Sequence, residues 1–281
     1  MSKKHSKQKE YSENQVEGDE NRGIQAKKSL GQNFLNSDGA LSAIIEAGRV
    51  KKGDIVLEIG PGKGALTKKL LETGAKVFAI EKDDRLIPVL EELFAKEIKS
   101  GKLTLIHGDV LEFNPTEHGL KEGKYKLIAN IPYYITGELI RNFLSELPQP
   151  ELMVILVQKE VAERIISKDD KKSILSISVK VYGEPKYIQT VKAGSFFPPP
   201  KVDSAILLID NISKKNFTAV NEQKFFEIVR AGFAHKRKTI SSNLKAYISK
   251  EKLAELGINE KERAERLSLK QWIVLSDSIK E

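Results

Sequence analysis

Asp54-Ile55-Val56-Leu57-Glu58-Ile59 runs straight into Gly60-Pro61-Gly62-Lys63-Gly64, and Ala65 to Leu71 then continues at helical spacing. No other stretch narrows the fold as much. An apolar run of that length reads as a buried strand. Glycines after it let the chain turn tightly and bring backbone close to a ligand at the next helix's N-terminus. A second strand, Lys76 to Ile80, ends in Glu81. That acid lies about 20 residues beyond the first glycine, where a carboxylate can accept both hydroxyls of a ribose. A lone Gly-x-Gly is often only a tight turn. The strand before it, the helix after it and the acid at the next strand end make it a nucleoside site. Gly60-x-Gly62-x-x-Ala65 also satisfies the dinucleotide fingerprint, so that reading stays open here. An ATPase phosphate loop does not fit, because Gly64 follows Lys63 where Ser or Thr is needed.

Strand and helix keep alternating downstream. Leu103 to His107 reads as a third strand ending in Gly108-Asp109, with Asp109 placed to accept from an adenine amine; a plain surface turn is the competing reading. Tyr125 to Ala129 is the fourth, Leu152 to Val157 the fifth, with helices over Glu138–Leu147 and Gln158–Ile166. Asp38 is expected to cap a helix reaching about Gly48. Such alternation predicts an α/β fold: a doubly wound, mostly parallel Rossmann-like sheet. Tyr187 to Val191 and Ser204 to Ile209 then read as two strands flanking Ser195-Phe196-Phe197-Pro198-Pro199-Pro200-Lys201. Three prolines force extended chain, and Phe196 or Phe197 can stack on a base or simply pack.

The fourth strand delivers Asn130-Ile131-Pro132-Tyr133. Pro132 cannot continue a central strand, so this motif lies in a loop at the strand's carboxyl end, the edge where open α/β sheets bind ligands. It suits an exocyclic adenine amine. The Asn130 side-chain oxygen and the Ile131 carbonyl can accept its two N–H bonds. Pro132 stiffens the turn, and Tyr133 can stack on the base.

Three segments follow. Residues 1–26 are polar and charged with few large apolar side chains, so they are expected to be disordered. Residues 27–210 form the α/β domain. Residues 211–281 open with a polar linker and continue as a small all-α domain, with helices over 221–234, 237–247, a short one near Lys250, and 268–279. The chain's net charge is +8, and residues 210–281 hold 15 Lys/Arg against 10 Asp/Glu, which points to a polyanionic partner. Absence of cysteine excludes disulfides, thiolate ligands and cysteine nucleophiles. The four histidines show no ligand spacing, so no metal is expected. No apolar stretch is long enough to span a membrane, and a cytoplasmic location is expected.

Taken in order, these motifs resemble the small-subunit (16S) ribosomal RNA adenine dimethyltransferases, which use S-adenosylmethionine and have a class I methyltransferase fold. The resemblance rests on Lys-Ser-Leu-Gly-Gln-Asn-Phe-Leu at 28–35, Glu-Ile-Gly-Pro-Gly-Lys-Gly at 58–64, Glu81, Gly-Asp at 108–109 and Asn-Ile-Pro-Tyr at 130–133. Gln158 to Arg164, Phe196 with Pro198 to Ser204, and Arg237-Lys238-Thr239 extend it. It implies that Asn33, Leu35, Gly60, Glu81, Asp109 and Asn130 contact the cofactor, and that Asn130, Tyr133 and Phe196 handle the target adenine. Lys27, Lys28, Lys201, Lys236, Arg237 and Lys238 are the expected RNA contacts. The implied substrate is a pair of adjacent adenines near the 3′ end of the small-subunit RNA in a 30S-type particle, met by a monomeric enzyme during ribosome biogenesis. Gly137-Glu138 stands where many relatives carry a proline, and Ile174 where relatives often have glycine before Leu-Ser. Two rival readings are a large-subunit adenine methyltransferase of the resistance type, and an assembly factor acting mainly by binding RNA.

Overall fold

A computed structural model describes residues 24–167, 172–218 and 220–279. Seven strands form one sheet: β1 (Ile55–Ile59), β2 (Lys76–Glu81), β3 (Leu103–His107), β4 (Lys126–Asn130), β5 (Leu152–Gln158), β6 (Glu184–Val191) and β7 (Ser204–Asp210). Their order is β3-β2-β1-β4-β5-β7-β6. The first five run parallel, joined by the crossovers that parallel pairing demands. β7 is antiparallel to both neighbours and lies between β5 and β6.

Two-residue alternation sorts each strand between the sheet's two faces. Leu57, Ile59, Leu127, Ala129, Ile155 and Leu207 belong to one core cluster. Val56, Ile128, Val154 and Ile206 belong to the other, with Leu41 and Ile44 of α1 (Asp38–Ala47) and Leu66 and Leu70 of α2 (Ala65–Glu72). β5 is buried along Leu152 to Val157 because it has a strand on each side and helices on both faces. α3 (Ile87–Leu93) and α4 (Ala95–Lys99) follow β2; neither was expected. The N-cap of α1 is Ser37, whose hydroxyl accepts from the Ala40 N–H, and Asp38 is the first helical residue instead.

α5 (Thr136–Arg141) begins two residues before the expected start and widens into a π-turn over Asn142–Glu146. α6 (Lys159–Ile166) matches its expected span closely. α7 (Ile174–Lys180) was not expected; Ser173 and Ser176 form a capping box at its N-terminus.

The expected linker after Asp210 is no free tether. Phe217 packs on the Tyr182 ring, and the Asn216 amide donates to the Val181 carbonyl. α8 (Glu222–Gly232), α10 (Lys250–Glu255) and α11 (Leu269–Ser278) match expected helices. The helix expected over 237–247 shrinks to α9 (Ile240–Asn243). Thr239 caps it, and Ile240 N–H and Ser241 Oγ are spent on the carbonyls of Glu262 and Glu260, so His235 to Lys238 stay in a turn. Phe225, Trp272 and Leu275 of this helical part join the same core cluster as Leu127 of the sheet, so its apolar core is continuous with the α/β core.

At the other end, the expected disordered tail falls mostly on residues 1–23, outside the described ones. Ile24 and Ala26 already pack against the core, so ordered chain starts before Lys27.

Candidate active site

Most site residues sit at the carboxyl ends of β1 to β4. Gly60 has φ +70 and Gly62 φ +58, backbone that only glycine adopts cheaply. Space forbids a side chain at Gly62 as well, since a Cβ there would lie 3.0 Å from the Phe34 ring. The loop is tied to the end of β2: Gly62 N–H donates to Glu81 Oε2 at 3.0 Å, and Asp83 N–H to Oε1 at 2.8 Å. Glu81 is 6% exposed. Burial pushes its carboxyl up, and these N–H groups pull it partly back. An ionised carboxylate has about four lone-pair sites, so this one has acceptor capacity left.

Beneath the loop lies a residue to which sequence reasoning gave no role. Glu58 is fully buried on the face of β1 that meets α2, and neither carboxyl oxygen has a hydrogen-bond partner among the described residues. Burial raises its pKa to about 8.

Asp109 follows the end of β3 and lines the same cleft as the glycine loop. It was expected to accept from an adenine amine. Its Oδ2 meets Lys82 Nζ at 2.5 Å, and its Oδ1 accepts the Leu111 N–H. Partial burial opposes ionisation, but these two bonds outweigh it and hold the carboxyl below its usual range.

Asn130 closes β4. Its Nδ2 donates to the Asn33 carbonyl at 3.4 Å, which aims Oδ1 elsewhere. Neither Oδ1 nor the Ile131 carbonyl accepts a hydrogen bond among the described residues. The Ile131 side chain is buried in the core, so its backbone is held from behind. Pro132 turns the chain into a short 3₁₀ segment, Tyr133–Ile135. The Tyr133 hydroxyl meets Ser204 Oγ at 2.7 Å, and burial raises the phenol's pKa. Tyr133 is therefore anchored at its tip as well as its backbone.

The N-terminal stretch forms the rim. Phe34 and Leu35 pair antiparallel with Phe197 and Phe196. Phe196 is 5% exposed and Phe197 64%. Phe196 therefore presents little of its ring to a ligand and belongs largely to the core, with Phe197 on the outside. Gln32 Nε2 donates to Asp83 Oδ2 at 2.7 Å, fixing the stretch over β2.

One cleft, about 1260 Å³ including its open mouth, takes in Asn33, Leu35, Gly60, Glu81, Asp109, Asn130, Ile131, Pro132, Tyr133 and Phe196. Every cofactor and catalytic residue expected from sequence thus lines a single space. Ser204, Lys82 and Tyr134 were missed. Ser204 closes the proline-rich segment, and Tyr134 directly follows the Asn130 motif, so both had a signal. Lys27, Lys201, Lys236, Arg237 and Lys238 are exposed and none lines the cleft. The Lys28 side chain lies outside the described residues. Among the described residues, no three His, Asp or Glu side chains group so as to hold a metal ion, and no helix is long and apolar enough to cross a membrane.

The family model for ribosomal RNA adenine dimethylases matches residues 23–281. A protein named ribosomal RNA small subunit methyltransferase A from Dehalococcoides mccartyi (strain CBDB1) is 43% identical over 255 residues, covering 89% of this chain and 87% of the relative. One of the same name from Clostridium botulinum (strain Okra / Type B1) is 41% identical over 260 residues, covering 90% and 93%. Among solved structures, a dimethyladenosine transferase from Plasmodium falciparum superposes with a TM-score of 0.72 at 30% identity, covering 86% of this chain and 95% of that one. The 23S rRNA methyltransferase ErmE gives 0.71 at 23% identity over 88% and 99%, a likeness of fold. The Rossmann-like sheet is thus that of the class I methyltransferases. With the match spanning the described residues from the strap at the rim to the last helix, the chain belongs to the ribosomal RNA adenine dimethylase family.

Proposed function

We propose that the cleft holds S-adenosylmethionine against Gly60, Glu81 and Asp109, and that Asn130, Ile131 and Tyr133 receive an adenine extruded from RNA. The chain is an S-adenosylmethionine-dependent enzyme that dimethylates adenines of small-subunit ribosomal RNA. The finer reading is that it acts in the cytoplasm, as a monomer, on two adjacent adenines near the 3′ end of that RNA in a 30S-type particle. The observation that carries the site assignment is the convergence of two unspent acceptors, Asn130 Oδ1 and the Ile131 carbonyl, with the buried Glu81 carboxylate in one space.

The cleft suits the cofactor. Gly60 and Gly62 leave a cradle that a Cβ would fill. Glu81 has acceptor sites left for ribose hydroxyls. Asp109 can accept an adenine amine beside Lys82, because an ionised carboxylate offers about four lone-pair sites. S-adenosylmethionine supplies a methyl group already activated on a cationic sulfur.

The protein's own part is positioning. Two acceptors at Asn130 and Ile131 orient the exocyclic nitrogen and draw its N–H bonds into the plane they define. Good alignment is worth effective molarities of about 10⁵–10⁸ M. Extruding the base costs a few kcal/mol, which stacking on the anchored Tyr133 ring can offset at about 1–3 kcal/mol. The exposed Lys236-Arg237-Lys238 turn supplies charge for the phosphate backbone.

The test is transfer of radiolabelled methyl groups to purified, unmethylated small ribosomal subunits, with large subunits alongside. Label on small subunits as dimethyladenosine is expected. Asn130→Ala should abolish transfer while the chain stays folded; undiminished turnover in that variant would overturn the site assignment. An Asn130→Ala variant that still bound subunits and restored their assembly would shift the main role from methylation to binding.

A further inference from the structure

Tyr134 takes no part in the chemistry described above, yet it is 65% exposed at the mouth of the cleft. Tyr133, its neighbour, is half-buried and tied at its hydroxyl. Gly31, with φ +61, runs alongside one edge of the Tyr134 ring: a Cβ there would meet Cε1 at 3.4 Å and Cδ1 at 3.5 Å, ordinary contact distances. The rest of the ring faces solvent.

A cation lines the same cleft. Lys82 Nζ is bound to Asp109, but its side chain is 54% exposed. Asp109 holds the Lys82 ammonium firmly charged. An exposed aromatic face and an ammonium group in one cleft are how proteins grip single-stranded nucleic acid, base on ring and phosphate on cation. The distance from Asn130 to Tyr134 along the chain matters too. Four residues of chain span no more than about 14 Å, so both residues, which line one cleft, are within reach of neighbouring nucleotides on one strand.

We propose that Tyr134 stacks on the nucleobase next to the extruded adenine, with Lys82 neutralising the phosphate between the two. This rests on the function proposed above. On a substrate with two adjacent adenines, that neighbour is the other adenine. Tyr134 then serves as a resting place for whichever adenine is outside the acceptor pocket. It makes Tyr134 a substrate-positioning residue that helps both bases reach completion.

The experiment uses the full chain, saturating S-adenosylmethionine and a titration of unmethylated small subunits, for wild type, Tyr134→Ala, Tyr134→Phe and Lys82→Met. Tyr134→Ala is expected to raise KM for the subunit about tenfold, as stacking of one base predicts, with kcat changed far less. Tyr134→Phe should stay close to wild type, since the ring and not the hydroxyl does the stacking. Lys82→Met should lower the slope of log KM against log salt by about one phosphate contact. Mass spectrometry of the RNA should show subunits modified at one adenine accumulating with Tyr134→Ala. Calorimetry should find its affinity for S-adenosylmethionine unchanged. The proposal fails if Tyr134→Ala matches wild type, if Tyr134→Phe is as impaired as Tyr134→Ala, or if cofactor affinity falls in step with KM. Wild type that labels no small subunits would overturn the function proposed above, and this inference with it.

Discussion

The hydroxyls of Tyr133 and Ser204 lie 2.7 Å apart and join the loop after β4 to the first residue of β7. The bond links a parallel strand end to an antiparallel one across β5. It fixes the plane of the ring that is to receive the adenine. Ser204→Ala should therefore lower kcat and leave S-adenosylmethionine affinity alone. One hydrogen bond of this kind is worth about 0.5–1.5 kcal/mol, so a loss of about 2- to 12-fold is expected. Tyr133→Phe breaks the same bond, and the double variant should be no slower than either single one. Steady-state kinetics on small subunits decides it.

Glu58 makes stability depend on pH. An unfolded glutamate ionises near pH 4.3, about as model compounds do. In the fold, burial keeps it protonated to about 8. Between those values the folded chain holds a proton that the unfolded chain has lost, so stability falls as pH rises through this window and levels off above it. Glu58→Gln keeps the shape and removes the proton. Its melting temperature relative to wild type should climb from pH 5 to pH 8.5. A constant offset across that range would mean that Glu58 is ionised in the fold.

Gly232 ends α8 directly against Trp272, which is fully buried in α11. A Cβ at Gly232 would fall 2.4 Å from the indole, far inside contact distance. Gly232→Ala should cost at least about 1–3 kcal/mol, the usual range for overpacking a core. Because Trp272 shares its core cluster with the sheet, urea should show the loss in one cooperative transition, not in a separate melting of the helical part.

The turn carrying Lys236, Arg237 and Lys238 is exposed and removed from the cleft. Replacing all three with glutamine should weaken RNA binding and leave cofactor affinity intact. Each lost phosphate contact should flatten log K against log salt by about 0.7–0.9. Binding to small subunits at several KCl concentrations measures the slope.

Much of the cleft was legible because its chemistry is local. Strand, glycine loop, helix and acid follow one another within one crossover, and Pro132 marks where β4 must stop. Strands β1, β2, β4 and β5 announced themselves as apolar runs because both their faces are covered. What could not be read depends on partners far along the chain. Ser204 meets Tyr133 across 71 residues. Lys82 looked like an ordinary surface lysine until Asp109 was placed beside it. Phe196 and Phe197 are neighbours in sequence, and only the pairing with Leu35 and Phe34 decides which one is buried. The helix expected over 237–247 failed for the same kind of reason. Its local pattern is helical, but the carbonyls of Glu260 and Glu262 take its donors. α7 was different: its Ser173-x-x-Ser176 cap was there to be seen beside a run of charged residues.

The insertion of β7 between β5 and β6 has a consequence for how the protein is made. A chain emerging N-terminus first completes β5 long before Ser204 exists. Until then, one edge of β5, apolar along nearly its whole length, has no strand beside it, and an open edge of that kind invites pairing with other chains. The same late strand carries the hydroxyl that anchors Tyr133. The nascent polypeptide thus possesses its glycine loop and both acidic side chains early, yet finishes neither its sheet nor its adenine pocket until residue 204 has left the translating ribosome.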